Sequence, residues 1–260
     1  TTPSGPLLRV ADLRQRLRDL GAGPLHEQRV LREWTHALAP DSHRRKNDDF
    51  LPLALRQALP GLRAELAGLA TLRSRHPGED GSERLLVGLH DGQAAEAVLL
   101  PRDGVCVSSQ IGCAVGCAFC MTGTGGLVRQ IGSAEIVAQV VLARQQRPVK
   151  KVVFMGMGEP AHNLEHVLEA IELLGTVGQI AHKNLVFSTV GDERAFEALP
   201  QGRVKPALAL SLHTTKAELR ERLLPRAPRL SPEALIERAE AYGRATGYPV
   251  DRKSTRLNSS

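Results

Sequence analysis

The sequence predicts an α/β protein in which a partial parallel (β/α) barrel follows a small N-terminal helical domain and a linking β-hairpin. Leucines recur at three- and four-residue spacing through the first seventy residues, which is typical of amphipathic helices. An Asp91-Gly92 pair separates two apolar runs, the composition of a hairpin turn. From Val105 onward, strand-like runs alternate with helical ones. Repeated βα units favour a parallel sheet whose chemistry lies at the carboxyl ends of its strands.

The first part, residues 1–76, is predicted to hold three amphipathic helices. Gly21 is placed to end the first helix as its C-cap, and Pro60 to interrupt the third. The basic segment at residues 42–47 is either a solvated connection or a contact for phosphate groups. The apolar positions that define the helices are Val10, Leu13, Leu17 and Leu20, then Val30, Leu31, Trp34 and Leu38, then Leu55, Leu59, Leu62, Leu66 and Leu69.

The second part, residues 77–103, begins with a linker signal at residues 77–82, which are rich in Gly, Pro and polar residues. Two predicted strands follow, at residues 85–89 and 94–100, and form the hairpin around its Asp-Gly turn.

The third part, residues 104–250, is predicted to be an incomplete barrel. Ser133 can cap one of its helices, and Ser231, with Pro232 at the first helical position, opens another. A fifth strand is not expected, because residues 251–260 lack a strand pattern and resemble a disordered or unrelated tail. The other predicted elements are a strand beginning at Val105, strands at 151–155, 185–188 and 207–212, and a helix at 163–174.

Composition limits the classes of function. The 260 residues include four cysteines, too few for a disulfide scaffold, which favours the reducing cytoplasm. No apolar run reaches the length of a membrane span. The net charge of +6 favours an anionic partner such as RNA, but one Trp, two Tyr and five Phe leave little for a base-stacking platform.

Three cysteines form the most informative motif of the chain. Cys113, Cys117 and Cys120 follow C-x₃-C-x₂-C spacing, with Phe119 beside the last of them. Three thiolates on one short loop can bind three irons of a [4Fe–4S] cluster and leave the fourth iron open to a chelating ligand. The alternative is a structural zinc site, which usually has four protein ligands and would need Cys106 or a histidine as the fourth.

Polar groups follow three of the predicted strands. Gly158 and Glu159 end the first, where glycine admits a ligand close to the backbone and a carboxylate can accept hydrogen bonds from an ammonium group. Ser188 ends the next strand, and Ser211 and His213 end the one after. Each could be a strand-end cap by itself, but together they predict a binding rim that faces the cysteine loop.

Residues 106–120, the Met-Gly-Met-Gly-Glu-Pro segment at 155–160 and the Leu-Ser-Leu-His segment at 210–213 together resemble radical S-adenosylmethionine (SAM) RNA methyltransferases of the RlmN/Cfr type. The resemblance extends from the N-terminal helices to about Pro249. It implies that residues 1–76 form an RNA-binding accessory domain. It assigns the ligands of a [4Fe–4S] cluster to Cys113, Cys117 and Cys120. It assigns contacts with SAM to Gly158, Glu159, Ser188, Ser211, Leu212 and His213.

The resemblance also implies an activity, the methylation of C2 of an adenine in 23S rRNA through a methyl-cysteine intermediate, with tRNA adenine as a further candidate. Cys106 matches the thiol that resolves the covalent RNA adduct as a disulfide forms. Glu96 matches the carboxylate that accepts the C2 proton. An electron donor such as flavodoxin, a monomeric state and no membrane partner are expected with this activity.

The alternatives are C8 methylation of adenine by an antibiotic-resistance relative, a radical-SAM enzyme acting on a small molecule or peptide, and a non-catalytic cluster- or zinc-bearing RNA-binding fragment. The chain also departs from the family pattern at Val190, Met121 and Gln130. All four cysteines are already assigned, so the methyl-carrying cysteine has no counterpart. We therefore expect the front part of such an enzyme, inactive in methyl transfer as an isolated chain.

Overall fold

The computed structural model describes residues 8–38 and 50–254, and for residues 252–254 it describes the backbone alone. The predicted phosphate contact at residues 42–47 and the last six residues of the predicted tail lie outside this range. The helices are α1 Val10–Asp19, α2 Pro24–Thr35, α3 Leu53–Gly68, α4 Ser133–Gln146, α5 Leu164–Gly175, α6 Glu193–Ala198, α7 Ala217–Leu223 and α8 Pro232–Thr246. The strands are β1 Ala70–Pro77, β2 Glu83–Leu89, β3 Ala94–Leu100, β4 Gly104–Val107, β5 Gln110–Gly112, β6 Leu127–Gln130, β7 Lys151–Phe154, β8 Leu185–Thr189, β9 Ala207–His213 and β10 Asp251–Ser254.

Eight of these strands form one sheet in the order β1-β2-β3-β4-β7-β8-β9-β10, while β5 and β6 form a separate antiparallel ribbon. Pairing is antiparallel from β1 to β4 and parallel from β4 through β7, β8 and β9 to β10. The hairpin is therefore part of the barrel sheet, and the predicted α/β class with a parallel sheet is confirmed.

The two faces of the sheet differ in what covers them. A large apolar cluster that runs from Val10 in α1 to Tyr242 in α8 packs between one face and the helices. We call the opposite side the inner face, and its small buried cluster consists of Val153, Val186 and Ala209. Because side chains alternate across a strand, this split follows from the sequence of each strand.

The N-terminal helices share the large cluster with the barrel. Leu13 and Leu17 of α1, Leu31 of α2 and Leu55 of α3 are fully buried in it. A separate N-terminal domain stays a prediction, since these helices pack into the same core as the sheet.

The end of α1 confirms the capping prediction. Gly21 has a φ of +84°, its N–H donates to Arg18 O at 2.9 Å, and Ala22 N–H donates to Leu17 O at 3.0 Å. This pair of bonds is the Schellman arrangement, which requires a left-handed residue that glycine adopts without strain. The predicted start of α8 is confirmed as well, because Ser231 Oγ accepts a hydrogen bond from Ala234 N at 3.2 Å.

Two predictions about the boundary between the helical region and the hairpin are wrong. The helix α3 continues through Pro60, because its buried apolar stripe offsets the one backbone hydrogen bond that proline cannot make. The helical part ends before Ala70, where β1 begins, so residues 77–82 form a hairpin turn rather than a linker. Gly78 N–H closes that turn on Ser82 O at 2.8 Å.

Two predictions in the barrel are wrong. Ser133 is the first residue of α4 and not its cap: its Oγ accepts from Val10 N at 2.9 Å and donates to Glu169 at 2.6 Å, which joins α1 to α5. A fifth parallel strand does exist, because Asp251 and Arg252 of β10 pair with Ala209 and Leu210 of β9. This pairing uses main-chain groups, so it needs no apolar pattern in the strand.

Within the described ranges, no helix is both long enough and apolar enough to cross a bilayer.

Candidate active site

The cysteine loop, residues 113–126, joins β5 to β6. Its thiols lie at different depths, with Cys113 buried, Cys117 half-buried and Cys120 exposed. Burial raises the pKa of Cys113, and burial together with the two neighbouring thiols raises the pKa of Cys117 to about 11. Both are therefore protonated at neutral pH in the metal-free chain, and binding of a metal would release their protons. None of the four cysteines forms a disulfide, including Cys106, for which the resemblance implies one.

The three thiols of this loop are neighbours, because Cys113 and Cys120 both act electrostatically on Cys117. In the described part of the chain, no three Cys, His, Asp or Glu side chains converge as a site for one metal ion. A structural zinc ion needs four ligands around one point. A [4Fe–4S] cluster takes one cysteine at each of three irons, which is the donor set that this loop supplies.

The segment formed by α7 and the residues just after it holds the cysteine loop from outside. Ala118 N–H donates to Leu223 O at 2.9 Å, and Arg226 Nη1 donates to Ala114 O at 3.0 Å. Gly116, at a φ of +65°, lies so close to this arginine that a Cβ on it would be 3.2 Å from Nη2. No motif in the sequence pointed to this support, which depends on a contact between distant parts of the chain.

The end of β9 also reaches the cysteine loop. The ring centroids of Phe119 and His213 are 4.6 Å apart. His213 has a φ of +65°, a left-handed conformation that is uncommon for a residue with a side chain. The predicted rim and the cysteine loop are therefore neighbours at this point.

Glu159 follows β7 and is almost completely buried, with 4% of its surface exposed. Its Oε1 accepts from Ala161 N at 3.2 Å and its Oε2 from Val190 N at 3.0 Å, and Thr189 also donates to it. Desolvation outweighs these bonds and raises the pKa of Glu159 to about 7. An ammonium group beside this carboxylate would favour its charged form, which is the chemistry of a contact with the amino group of SAM.

Two glutamines connect the β5–β6 ribbon to Glu159. Gln110 Oε1 accepts from Glu159 N at 2.8 Å, Gln110 Nε2 donates to Gln130 Oε1 at 2.9 Å, and Gln130 Nε2 donates to His162 O at 2.9 Å. Gly158 makes room for this relay, since a Cβ there would lie 2.6 Å from Gln110 Cβ. Sequence analysis singled out Gln130 only as a departure from the family pattern and missed Gln110 altogether.

A buried charge network holds Arg129, the residue of β6 next to Gln130, whose side chain projects to the opposite side of the ribbon. Glu135 in α4 is fully buried and accepts hydrogen bonds from both terminal nitrogens of Arg129 in β6, at 2.9 and 3.0 Å. It also accepts from Gly132 N at 2.9 Å and contacts His90 Nδ1 at 2.9 Å, and Arg129 Nε lies 2.7 Å from Asp91. The hairpin turn, the ribbon and α4 are therefore joined through one carboxylate.

The two predicted serines lie side by side on the inner face. Ser188 Oγ and Ser211 Oγ are 3.4 Å apart on the neighbouring strands β8 and β9. Ser188 pairs with Ala209, a member of the inner-face cluster, and paired residues project to the same side of a sheet. The Leu212 side chain projects to the other side, into the large core, which leaves its backbone as the part available to a cofactor.

The two predicted catalytic residues share that inner face. Cys106 pairs with Val98 of β3 and with Val153 of β7, which belongs to the inner-face cluster. Glu96 lies two residues before Val98 and therefore projects to the same side as Cys106. The Glu96 carboxylate is 43% exposed and lies 3.2 Å from Arg84 Nη1.

Arg220 of α7 is a cation that sequence analysis missed. Only 4% of its surface is exposed, and its Nη2 donates to Val190 O. Its Nε is buried with no hydrogen-bond partner, and the guanidinium interacts electrostatically with Cys117. Its one signal in the sequence is its position beside Leu219 and Leu223, on the apolar side of a short helix.

Comparison with known proteins agrees with this geometry. In sequence, residues 107–250 match the family model of the Radical SAM superfamily. A crystal structure of a radical SAM methyltransferase from Sphaerobacter thermophilus superposes with a TM-score of 0.76 and 32% sequence identity, covering 97% of this chain and 77% of that one. Membership in this superfamily implies a [4Fe–4S] cluster and SAM.

Curated relatives are closer in sequence. A protein named Probable RNA methyltransferase from Azoarcus sp. (strain BH72) is 71% identical over 243 residues, which are 94% of this chain and 70% of that protein. Proteins with the same name from Methylibium petroleiphilum and Pseudomonas aeruginosa are 70% and 64% identical over 96% of this chain, and the match covers 71% and 73% of those proteins. The chain therefore belongs to the radical SAM superfamily and, within it, to a family of probable RNA methyltransferases.

Proposed function

We propose that this chain belongs to an enzyme that methylates C2 of an adenine in 23S rRNA, with tRNA adenine as a second candidate substrate. The observation that carries the proposal is the position of Cys106, which belongs to β4 rather than to the cysteine loop and shares the inner face with Glu96. The names of the curated relatives support RNA as the substrate class.

The proposed roles follow from the chemistry of the target atom. C2 of adenine is an electron-poor carbon, so polar methyl transfer from a sulfonium fails there. When bound, the cluster and SAM supply a radical that can activate a methyl group. Glu96 accepts the C2 proton, since its half-exposed carboxylate can reach a bound base. Cys106 acts as the thiol nucleophile. It attacks the sulfur of a second cysteine that carries the methylene group, the carbon–sulfur bond breaks as the disulfide forms, and the released carbon takes up a proton to become the methyl group of the product. None of the four cysteines of this sequence is assigned as that second cysteine.

The remaining residues of the proposed site bind the two cofactors. Cys113, Cys117 and Cys120 hold the cluster, and a low-potential donor such as flavodoxin supplies the electron. SAM is held by Gly158, Glu159, Ser188, Ser211, the backbone of Leu212, and His213. Glu159 is the strongest member of this set, because a carboxylate with a pKa of about 7 gains most from a neighbouring ammonium group.

The first experiment tests the cofactors. The chain is reconstituted anaerobically, its iron and sulfide are counted, and its electron paramagnetic resonance spectrum is recorded with and without SAM. We expect a cluster whose spectrum changes with SAM, lost in Cys117→Ala and kept in Cys106→Ala. A colourless zinc protein whose spectrum ignores SAM would defeat the radical chemistry.

The second experiment tests the substrate. The reconstituted chain and the Azoarcus relative are incubated with 23S rRNA and with tRNA, and modified nucleosides are mapped by mass spectrometry. We expect 2-methyladenosine from the relative; 8-methyladenosine instead would replace C2 with C8 as the target. Binding of this chain to the RNA should weaken steeply with salt, and salt-independent binding would favour a small-molecule or peptide substrate.

A further inference from the structure

Arg220 is a buried cation that the proposed roles above do not use. A guanidinium has five N–H donors, and burying it without compensation costs several kcal/mol. Here Nη2 donates to Val190 O, and Nε has no hydrogen-bond acceptor. Among residues 8–38 and 50–254, no carboxylate pairs with this side chain. The described residues therefore leave this buried guanidinium without an anionic partner.

The surroundings of Arg220 indicate where that anion lies. Cys113, Val115 and Val190 form a small apolar cluster with Leu223 and Leu224, and Cys117 packs against it. Arg220 extends from the same helix as Leu223 and interacts electrostatically with Cys117. In a site lined by apolar groups, a charge acts more strongly on its neighbours than it does in water.

We propose that Arg220 is a positioning residue that stabilises the negative charge of the reduced iron–sulfur cluster on the cysteine loop. This inference rests on the proposed assignment of the cluster to Cys113, Cys117 and Cys120. Iron-bound thiolates are anionic, and each electron added to the cluster makes it more negative. A fixed positive charge beside one ligand therefore favours the reduced form and raises the reduction potential.

The chain offers a matched control for this effect. Arg222 lies two residues further along α7 and is exposed to solvent, where its charge is screened by water and salt. The Arg220→Gln and Arg222→Gln variants lose the same charge from the same helix. The Arg220→Lys variant keeps a positive charge at the buried position but removes the planar guanidinium.

The experiment measures the cluster without SAM or RNA. The full chain and the three variants are reconstituted anaerobically, and iron and sulfide are counted. The clusters are then titrated with dithionite against redox mediators while the reduced signal is followed by electron paramagnetic resonance. We expect the midpoint potential of Arg220→Gln to shift to more negative values, and those of Arg220→Lys and Arg222→Gln to stay near the wild-type value.

An unchanged midpoint in Arg220→Gln with full iron content would overturn the inference. If Arg220→Gln does not fold, Arg220→Met, which also removes the charge but keeps a long apolar side chain, takes its place: a lowered midpoint supports the role of charge, and an unchanged midpoint contradicts it. Absence of a cluster from the wild-type chain would instead defeat the proposed function, so the two failures are distinguishable.

Discussion

Gly158 is a residue whose motif suggests one role and whose surroundings give another. In sequence it admits a cofactor close to the backbone. In the structure the space that its side chain would fill is taken by Gln110, and its φ of +101° suits glycine alone. The glycine thus keeps the relay between the cysteine ribbon and Glu159 intact.

We expect Gly158→Ala to destabilise the protein more than Gly92→Ala. Both replace a glycine with positive φ, at a cost of about 1–2 kcal/mol, but only Gly158 also lies against another side chain, which adds about 1–3 kcal/mol. Urea denaturation of the two variants measures the difference. Equal losses of the free energy of unfolding in the two variants would mean that Gln110 shifts to accept the new methyl group without an energetic cost.

The raised pKa of Glu159 predicts that the free energy of unfolding depends on pH. Its pKa is about 7 in the folded chain, against an ordinary value of 4.5. Between these values the folded protein binds a proton that the unfolded chain has lost, so the contribution of this group to the free energy of unfolding falls as pH rises from 5 to 8.

The measurement compares the wild type with Glu159→Gln, which cannot titrate. We expect the wild type to lose stability relative to the variant across this range, by at most a few kcal/mol. Histidines titrate in both proteins and cancel in the difference. A difference that stays constant with pH would show that the carboxylate keeps its ordinary pKa in the folded chain.

The β5–β6 ribbon illustrates how elements are joined at this site. It shares no strand with the main sheet. Side chains hold it at the end remote from the cysteine loop, through the glutamine relay at Gln110 and Gln130 and through the Glu135 network at Arg129. Buried polar networks of this kind favour one arrangement of the elements they connect. The cysteine loop therefore begins and ends at fixed positions.

Removing one member of the Glu135 network should be costly. Arg129→Met leaves a buried carboxylate short of its main cation, which we expect to destabilise the protein by about 3–5 kcal/mol. Arg244→Met is the control: its ion pair with Glu240 is exposed and 3.8 Å long, and we expect a change below about 0.5 kcal/mol. Thermal or urea unfolding of both variants tests this, and similar losses would contradict a special role for the network.

How far sequence reasoning reaches also depends on the element. Local sequence signals predict helix ends correctly where a single residue determines the cap, as at Gly21 and Ser231. They fail where a distant segment decides: Ser133 bonds to α1 and α5 instead of capping its own helix. The cysteine spacing and strand-end motifs are readable in the same way, whereas the positions of Gln110 and Arg220 depend on contacts across the fold.

At the scale of the molecule, the N-terminal helices and the barrel bury one continuous core. Trp34, the single tryptophan, lies in α2 and packs against the same cluster that contains Tyr242 of α8. Elements that share a core tend to unfold together in one cooperative step.

We therefore expect the denaturation curve from Trp34 fluorescence to coincide with the curve from far-ultraviolet circular dichroism. Leu17→Ala should shift both curves together, with a loss of about 2–5 kcal/mol, because this leucine is fully buried in the shared cluster. Leu25→Ala, at a leucine that is 67% exposed, should leave both nearly unchanged. A fluorescence transition at lower urea concentration would indicate helices that unfold independently.

The continuity of the eight-stranded sheet has a mechanical consequence. Cys106 and Ser188 belong to β4 and β8, with β7 as the strand between them. Main-chain hydrogen bonds between these strands set the distance between the two residues. We expect these strands to stay fixed during the reaction, so that the bound nucleotide is the part that moves to bring the reacting atoms together.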